Sequence, residues 1–194
     1  MEPAVQYYHK PDYIETDTGN KVSRKAHIYG IQNIVLGGKT IIQDNAVLRG
    51  DLRRAGAGHS VAITTGRLCQ IHSNVIIRPP YKLYKGSFSY YPMKMGDHVI
   101  IEHGSIIEAS SIGSYIHIGK DCVIGRFVVI KDCTRILDGA VVPANTVIPP
   151  FSVFGGNPAT LVEEWTDSAQ DIMQEMTTRH YYCEFLSDEL NNTS

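Results

Sequence analysis

Residues 100–133 read IIEHGSIIEASSIGSYIHIGKDCVIGRFVVIKDC, and aliphatic residues return in them every six positions. Ile112, Ile118, Ile124 and Ile130 set the beat, and Ile136, Val142, Ile148 and Phe154 continue it without a gap. Ile100 and Ile106 extend the same register upstream. A period of six fits neither a helix, at about 3.6 residues per turn, nor a single alternating strand. It is the pattern of a hexapeptide β-helix, an all-β fold in which each hexad forms one short strand and a turn of a triangular coil. One aliphatic side chain per hexad points inward, and successive coils stack these into a core. The glycines that follow Ile112, Ile118 and Ile124 suit turns that want small residues or positive φ.

The same period is present earlier, less cleanly. Ile28 and Ile34 are six apart, Ile41 and Val47 are six apart but one residue out of that phase, and Thr65, Ile71 and Ile77 resume the later one. Two stretches interrupt it. LRRAGAGHSVAIT (52–64) is rich in Gly and Ala and reads as a loop bulging from one corner. PPYKLYKGSFSYYPMK (79–94) carries five aromatics and three lysines and reads as a second loop. What remains makes about six coils, roughly 30 Å of strands stacked at ~4.8 Å per layer. After GGNPA (155–159) the spacing becomes helical: Trp165, Ala169, Ile172, Met173, Met176, His180, Tyr181 and Phe185 recur at three and four residues, with Thr166 and Asp167 available as caps. The expected organisation is an N-terminal segment (1–21), a β-helix (22–160), and an α-helix with its tail (161–194) packed on a flank of the β-helix.

Composition narrows the function. The formal net charge of −2 over 194 residues argues against a nucleic-acid binder held by phosphate contacts. The N-terminus, MEPAVQYYHKPDYIET, lacks the apolar run of a secretory signal, and no stretch is long enough to span a bilayer. Cys69, Cys122, Cys133 and Cys183 form no CxxC pair and read as reduced thiols of a cytosolic protein. The sequons at Asn191 and Asn192 carry no meaning without a secretory route.

The coil pattern, together with NAVLRGD (45–51), GDHVIIEHGSIIEASSIGS (96–114) and GNPA (156–159), resembles the γ-class carbonic anhydrase branch of left-handed β-helix proteins. That branch winds opposite to ordinary crossovers. YIETDTGNKVSR (13–24), QNIVLGGKTII (32–42), VIIRPP (75–80), MGDHVIIE (95–102) and IGSYIHIGKDCVIGR (112–126) resemble the dynactin subunit 5 family more closely, and the likeness runs from about residue 6 into the C-terminal helix. The 52–64 loop is longer than that pattern leads one to expect. The resemblance implies a non-catalytic structural subunit of dynactin in the cytoplasm, associated with dynein, microtubule transport and early endosomes. It would belong to the pointed-end complex that caps the actin-related filament. The implied partners are dynactin subunit 6 (a second β-helix), dynactin subunit 4, the terminal actin-related protein and dynein cargo adaptors, with no nucleic acid, membrane insertion or cofactor.

The enzyme alternatives can be examined residue by residue. A γ-class enzyme holds zinc with three histidines, and the resemblance places those positions at Arg78, His103 and Glu108. A catalytic zinc needs three ligands with lone pairs and an open position for water. Arg78 offers none and is permanently cationic, so a salt bridge between Arg78 and Glu108 is the expected use of the pair. Hexapeptide-repeat acyltransferases instead use a histidine base. His72 and His117 lie on coils, but no acidic partner is expected beside either, and His72, His98 and His117 read as turn or surface residues. Arg49 and Asp51 of LRGD read as a structural ion pair. The interaction candidates lie in the aromatic-basic loop: Tyr81, Lys82, Tyr84, Lys85, Phe88, Tyr90 and Tyr91.

Overall fold

The computed structural model describes residues 4–193 apart from 55, 57 and 59. The first residues of the N-terminal segment, those three positions of the 52–64 loop and Ser194 lie outside it, as do the side chains of the Asn191 and Asn192 sequons. The chain winds as a left-handed β-helix with three faces. The first face stacks Lys21–Ser23, Ile41–Ile42, Gln70–Ile71, Val99–Ile101, Ile116–Ile118, Thr134–Ile136 and Ser152–Gly156, all in parallel. The second and third faces have six strands each. On the second, Ile76–Ile77 pairs with Val47–Arg49 on one side and Ile106–Ile107 on the other. Antiparallel strands close the first face at both ends, Tyr13–Glu15 on Lys21–Ser23 and Ala159–Glu164 on Ser152–Gly156. An open parallel edge would present unpaired amides to any passing strand, and these two returns cover it.

From Ile112 to Ile148 the residues of the hexad register are all buried in the core, and Ile116, Cys122, Val128 and Ala140, two positions before a register residue, join them there, so that most hexads contribute two inward side chains rather than one. Upstream, the register of the sequence reading is corrected by one residue. Ile101 and Ile107 enter the core, while Ile100 lies outside the core cluster and Ile106 is half-buried. The corner between Ile107 and Ile112 is one residue shorter than the others, and a slip of one residue moves a strand's inward set to the other face. In the early coils, too, the inward set lies one residue from the expected one: Ile42 and Leu48, not Ile41 and Val47, are core residues. Ile41 packs outside the coil with Tyr8 and Phe185.

The glycines that follow Ile112, Ile118 and Ile124 serve close approach rather than positive φ. A Cβ on Gly113 or Gly119 would collide with the carboxylate of Asp132 or Asp138 from the next coil. Those carboxylates accept hydrogen bonds from the Ser114 and Lys120 amides at 2.9 and 2.8 Å. Positive φ falls instead on Tyr115, Asp121 and Phe127, at 60°, 53° and 59°.

Both interruptions are shorter than the sequence suggested. Ile63–Thr65 and Met93–Met95 are strands of the third face, and Ile63, Met93 and Met95 are core residues. The excursions therefore end before Ile63 and Met93, and both leave from the corner between the second and third faces. The second is a β-hairpin, Tyr81–Tyr84 against Ser87–Tyr90.

The C-terminal helix is also shorter than predicted. Helix α1 spans Ala169–Arg179 and buries Ala169, Met173 and Thr177, whereas Ile172 and Met176 stay exposed. A π-turn (His180–Glu184) follows, and Phe185–Ser187 then pairs in parallel with Gln6–Tyr8. Lys21 Nζ donates to the carbonyls of Phe185 and Tyr181 at 2.8 and 3.2 Å, and the Phe185 ring stacks on Tyr8 at 4.7 Å. The two ends of the chain are thus one packed unit against the first face.

Candidate functional site

The corner between the second and third faces gathers most of the candidate residues. Arg78 follows one second-face strand and Glu108 follows the strand stacked on it, because Ile77 pairs with Ile107. Arg78 Nη2 stands 3.3 Å from Glu108 Oε1. This is a single, partly solvated contact, and Arg78 Nε is buried without a partner. Arg49, one coil below, makes a two-pronged pair with Asp51, both bonds 2.8 Å, and its guanidinium lies 5.1 Å from the Tyr29 ring. That pairing holds the Asp51 carboxyl below its ordinary pKa. Arg49, Arg78 and Glu108 line one shallow pocket with Tyr81 and Tyr90. His103 does not join them. It sits exposed at the corner between the first and second faces, with its Nδ1 3.5 Å from Asn74 Nδ2. Among the described residues no group of three His, Cys, Asp or Glu is placed to hold a metal ion. The donors present do not fit a catalytic zinc: one position is a guanidinium and another faces away.

The hairpin rises from this pocket. Its turn, Lys85–Gly86, has φ of 46° and 74°, the two positive values of a type I′ turn, whose twist matches the flanking strands. Pairing puts Tyr81, Leu83, Phe88 and Tyr90 on one side of the ribbon. At the base, the Arg126 guanidinium sits 4.4 Å from the Tyr81 ring and Lys82 Nζ sits 4.5 Å from Phe127, while Tyr91 meets Phe127 edge-on at 5.4 Å. The tip is bare: Leu83 and Tyr84 are each 69% exposed and Phe88 is 52% exposed. The sequence reading did not single out Leu83, Arg126 or Phe127. Leu83 was within reach, since YKLY and SFSY alternate around a Lys-Gly turn.

A family model described as Dynactin subunit 5 matches residues 1–190 of the chain. The chain belongs to the dynactin subunit 5 family. Dynactin subunit 5 of Dictyostelium discoideum is 41% identical over 181 residues, covering 93% of this chain and 87% of that protein. A mitochondrial gamma carbonic anhydrase 1 of Arabidopsis thaliana is 25% identical over 150 residues, covering 77% of this chain and 51% of its own length. Among solved structures, AntD, an N-acyltransferase from Bacillus cereus, superposes with a TM-score of 0.64 at 16% identity, covering 82% of this chain and 87% of AntD. That likeness concerns the fold.

In this dynactin subunit the coil histidines have settled environments, and two differ from expectation. His98 lies in a turn, with φ of 55°, its Nδ1 2.6 Å from Thr177 Oγ1 and its ring stacked on Tyr115. His117 is on a strand, and it does have an acidic neighbour: Glu102 Oε1 lies 3.3 Å from its Nε2. Parallel pairing sets His117 beside Ile100, which brings Glu102 within reach. His72 is partly buried beneath the C-terminal segment, where burial first, and then His180, pushes its pKa down to about 4.

Proposed function

We propose that this dynactin subunit is a non-catalytic scaffold of the pointed-end complex, located in the cytoplasm beside dynactin subunit 6 and against subunit 4 and the terminal actin-related protein. Its hairpin contacts those neighbours or dynein cargo adaptors. The observation that carries this reading is the hairpin tip, where Leu83, Tyr84 and Phe88 stand in solvent on a ribbon pinned at its base. Large exposed rings and an aliphatic side chain on a pre-ordered ribbon supply contact area without the entropy cost of ordering a loop. Lys82 and Lys85 add steering toward an acidic surface. Arg78 supports the non-catalytic part, because a guanidinium at the position of a zinc ligand has no lone pair to give.

The test is a triple substitution, Leu83→Ser, Tyr84→Ser and Phe88→Ser. Affinity for reconstituted pointed-end neighbours or adaptors should fall by about 2 kcal/mol or more, roughly thirtyfold. The melting temperature should stay near wild type. Tyr90 is left intact, since it pairs with Tyr81 at the foot of the hairpin and lines the pocket of Arg49, Arg78 and Glu108. Unchanged binding by a well-folded triple variant would move the contact to a flat face or to the ends of the prism.

A further inference from the structure

On the first face, opposite the hairpin's corner, helix α1 and the π-turn overhang the coil and leave a cleft of about 440 Å³. Its walls are apolar: Ile100 on the coil, Ile172 and Met176 on the helix. Its floor holds Gln70, only 5% exposed. Gln70 Oε1 is occupied by His72 Nε2 at 3.2 Å, and that contact leaves the amide nitrogen without a hydrogen-bond partner. Beside it, His180 Nδ1 lies 3.2 Å from Glu184 Oε2, which makes Nδ1 the donor and leaves Nε2 with its lone pair; that atom, too, is buried and unpartnered. A buried polar atom with no partner is costly, and here a donor and an acceptor are orphaned in one cleft.

Charge adds a preference. Glu102, Glu175 and Glu184 line the cleft against the one guanidinium of Arg179. Arg179 and His180 both engage Glu184, and His117 engages Glu102, so the exposed Glu175 carries the free charge of the rim.

We propose that this cleft is a second docking site, taking an extended basic segment of a partner protein. A backbone amide of that segment accepts from Gln70 Nε2 and donates to His180 Nε2. The alkyl stem of a neighbouring Arg or Lys lies between Ile172 and Met176, and its cation meets Glu175. The site is separate from the hairpin, so the triple hairpin variant leaves it intact and the two readings fail independently.

The experiment titrates the full chain with Nα-acetyl-arginine methylamide and, in parallel, Nα-acetyl-glutamate methylamide, following the Gln70 side-chain amide by NMR. The arginine probe should shift that resonance saturably, at least fivefold more tightly than the glutamate probe. Glu175→Lys, on the exposed side of α1, should abolish that preference without altering the fold. Gln70→Leu, which removes that resonance and is followed instead through the His180 ring signals, should weaken the arginine probe at least fivefold. Equal response to both probes, no saturable response, a preference that survives Glu175→Lys, or unchanged affinity in Gln70→Leu overturns the proposal.

Discussion

Replacing Ile107 and Ile106 separately by Ala tests the inward register where sequence and structure part. Ile107 is fully buried and is stacked between Ile77 and Ile124 of the adjoining coils, whereas Ile106 is half-buried on the outer surface of the same strand. Burying an isoleucine contributes about 1.5–3 kcal/mol from transfer alone. Truncation also leaves a cavity, and core Ile→Ala changes cost about 2–5 kcal/mol in all. The strands above and below are held by a continuous ladder, so the walls of that cavity cannot close, and Ile107→Ala belongs in the upper half, about 3–5 kcal/mol. Ile106→Ala loses part of an exposed contact, about 1 kcal/mol or less. At roughly 2–4 °C per kcal/mol for a chain of this size, the two variants should melt about 6–20 °C and at most about 4 °C below wild type. Calorimetry of the full chain reads both. If Ile106→Ala proved as damaging as Ile107→Ala, the coil would be threaded one residue away from the register described.

Two further outcomes follow from the site geometry. The double variant Arg78→His, Glu108→His should bind zinc only weakly by titration calorimetry, because His103 lies on another corner of the same chain; tight one-to-one binding would show that the three positions converge. Melting temperature should fall as the pH drops from about 6.5 to 4, because the folded pKa of His72 lies near 4 and the unfolded chain takes up its proton first. The contribution of His72 is complete above about pH 6.5 and amounts to at most about 3 kcal/mol. Glu102, held low by its bond to His117, adds to the loss only in more acid solution. His72→Gln should flatten the upper part of this dependence, and an unchanged profile would place that imidazole in solvent.

The architecture was legible because a β-helix writes itself into sequence as a period, and the period runs unbroken from Ile112 onward. Its failures are failures of phase. Phase is set by corners, and a corner shortened by one residue, as between Ile107 and Ile112, changes which isoleucine faces inward without disturbing the look of the pattern. The C-terminal segment misled for a different reason. Trp165 through Phe185 has helical spacing, but Ala159–Glu164 finds a strand edge to cap, and Phe185 finds Tyr8 and the Lys21 ammonium. A tertiary partner outweighed local periodicity in both places.

The candidate site was legible only as far as it was local. The hairpin carried its own signal in two alternating stretches around Lys85–Gly86, so its aromatic tip could be named from sequence, although not its anchorage, because Phe127 and Arg126 belong to a later coil. The cleft under α1 had no such signal. Gln70, Glu102 and His180 come from two coils and a terminal turn, and no spacing in the chain relates them until winding and helix docking are both known. The His117–Glu102 contact lies between these cases. Once strands 99–101 and 116–118 are known to pair in register, a carboxylate two residues beyond Ile100 must fall beside the residue opposite Ile100. In a solenoid the side-chain neighbours across a face follow from coil length alone, so correcting one corner corrects every contact above it. What coil length cannot supply is the chemistry of the places where the chain leaves the coil, and in this protein both proposed docking sites depend on such segments.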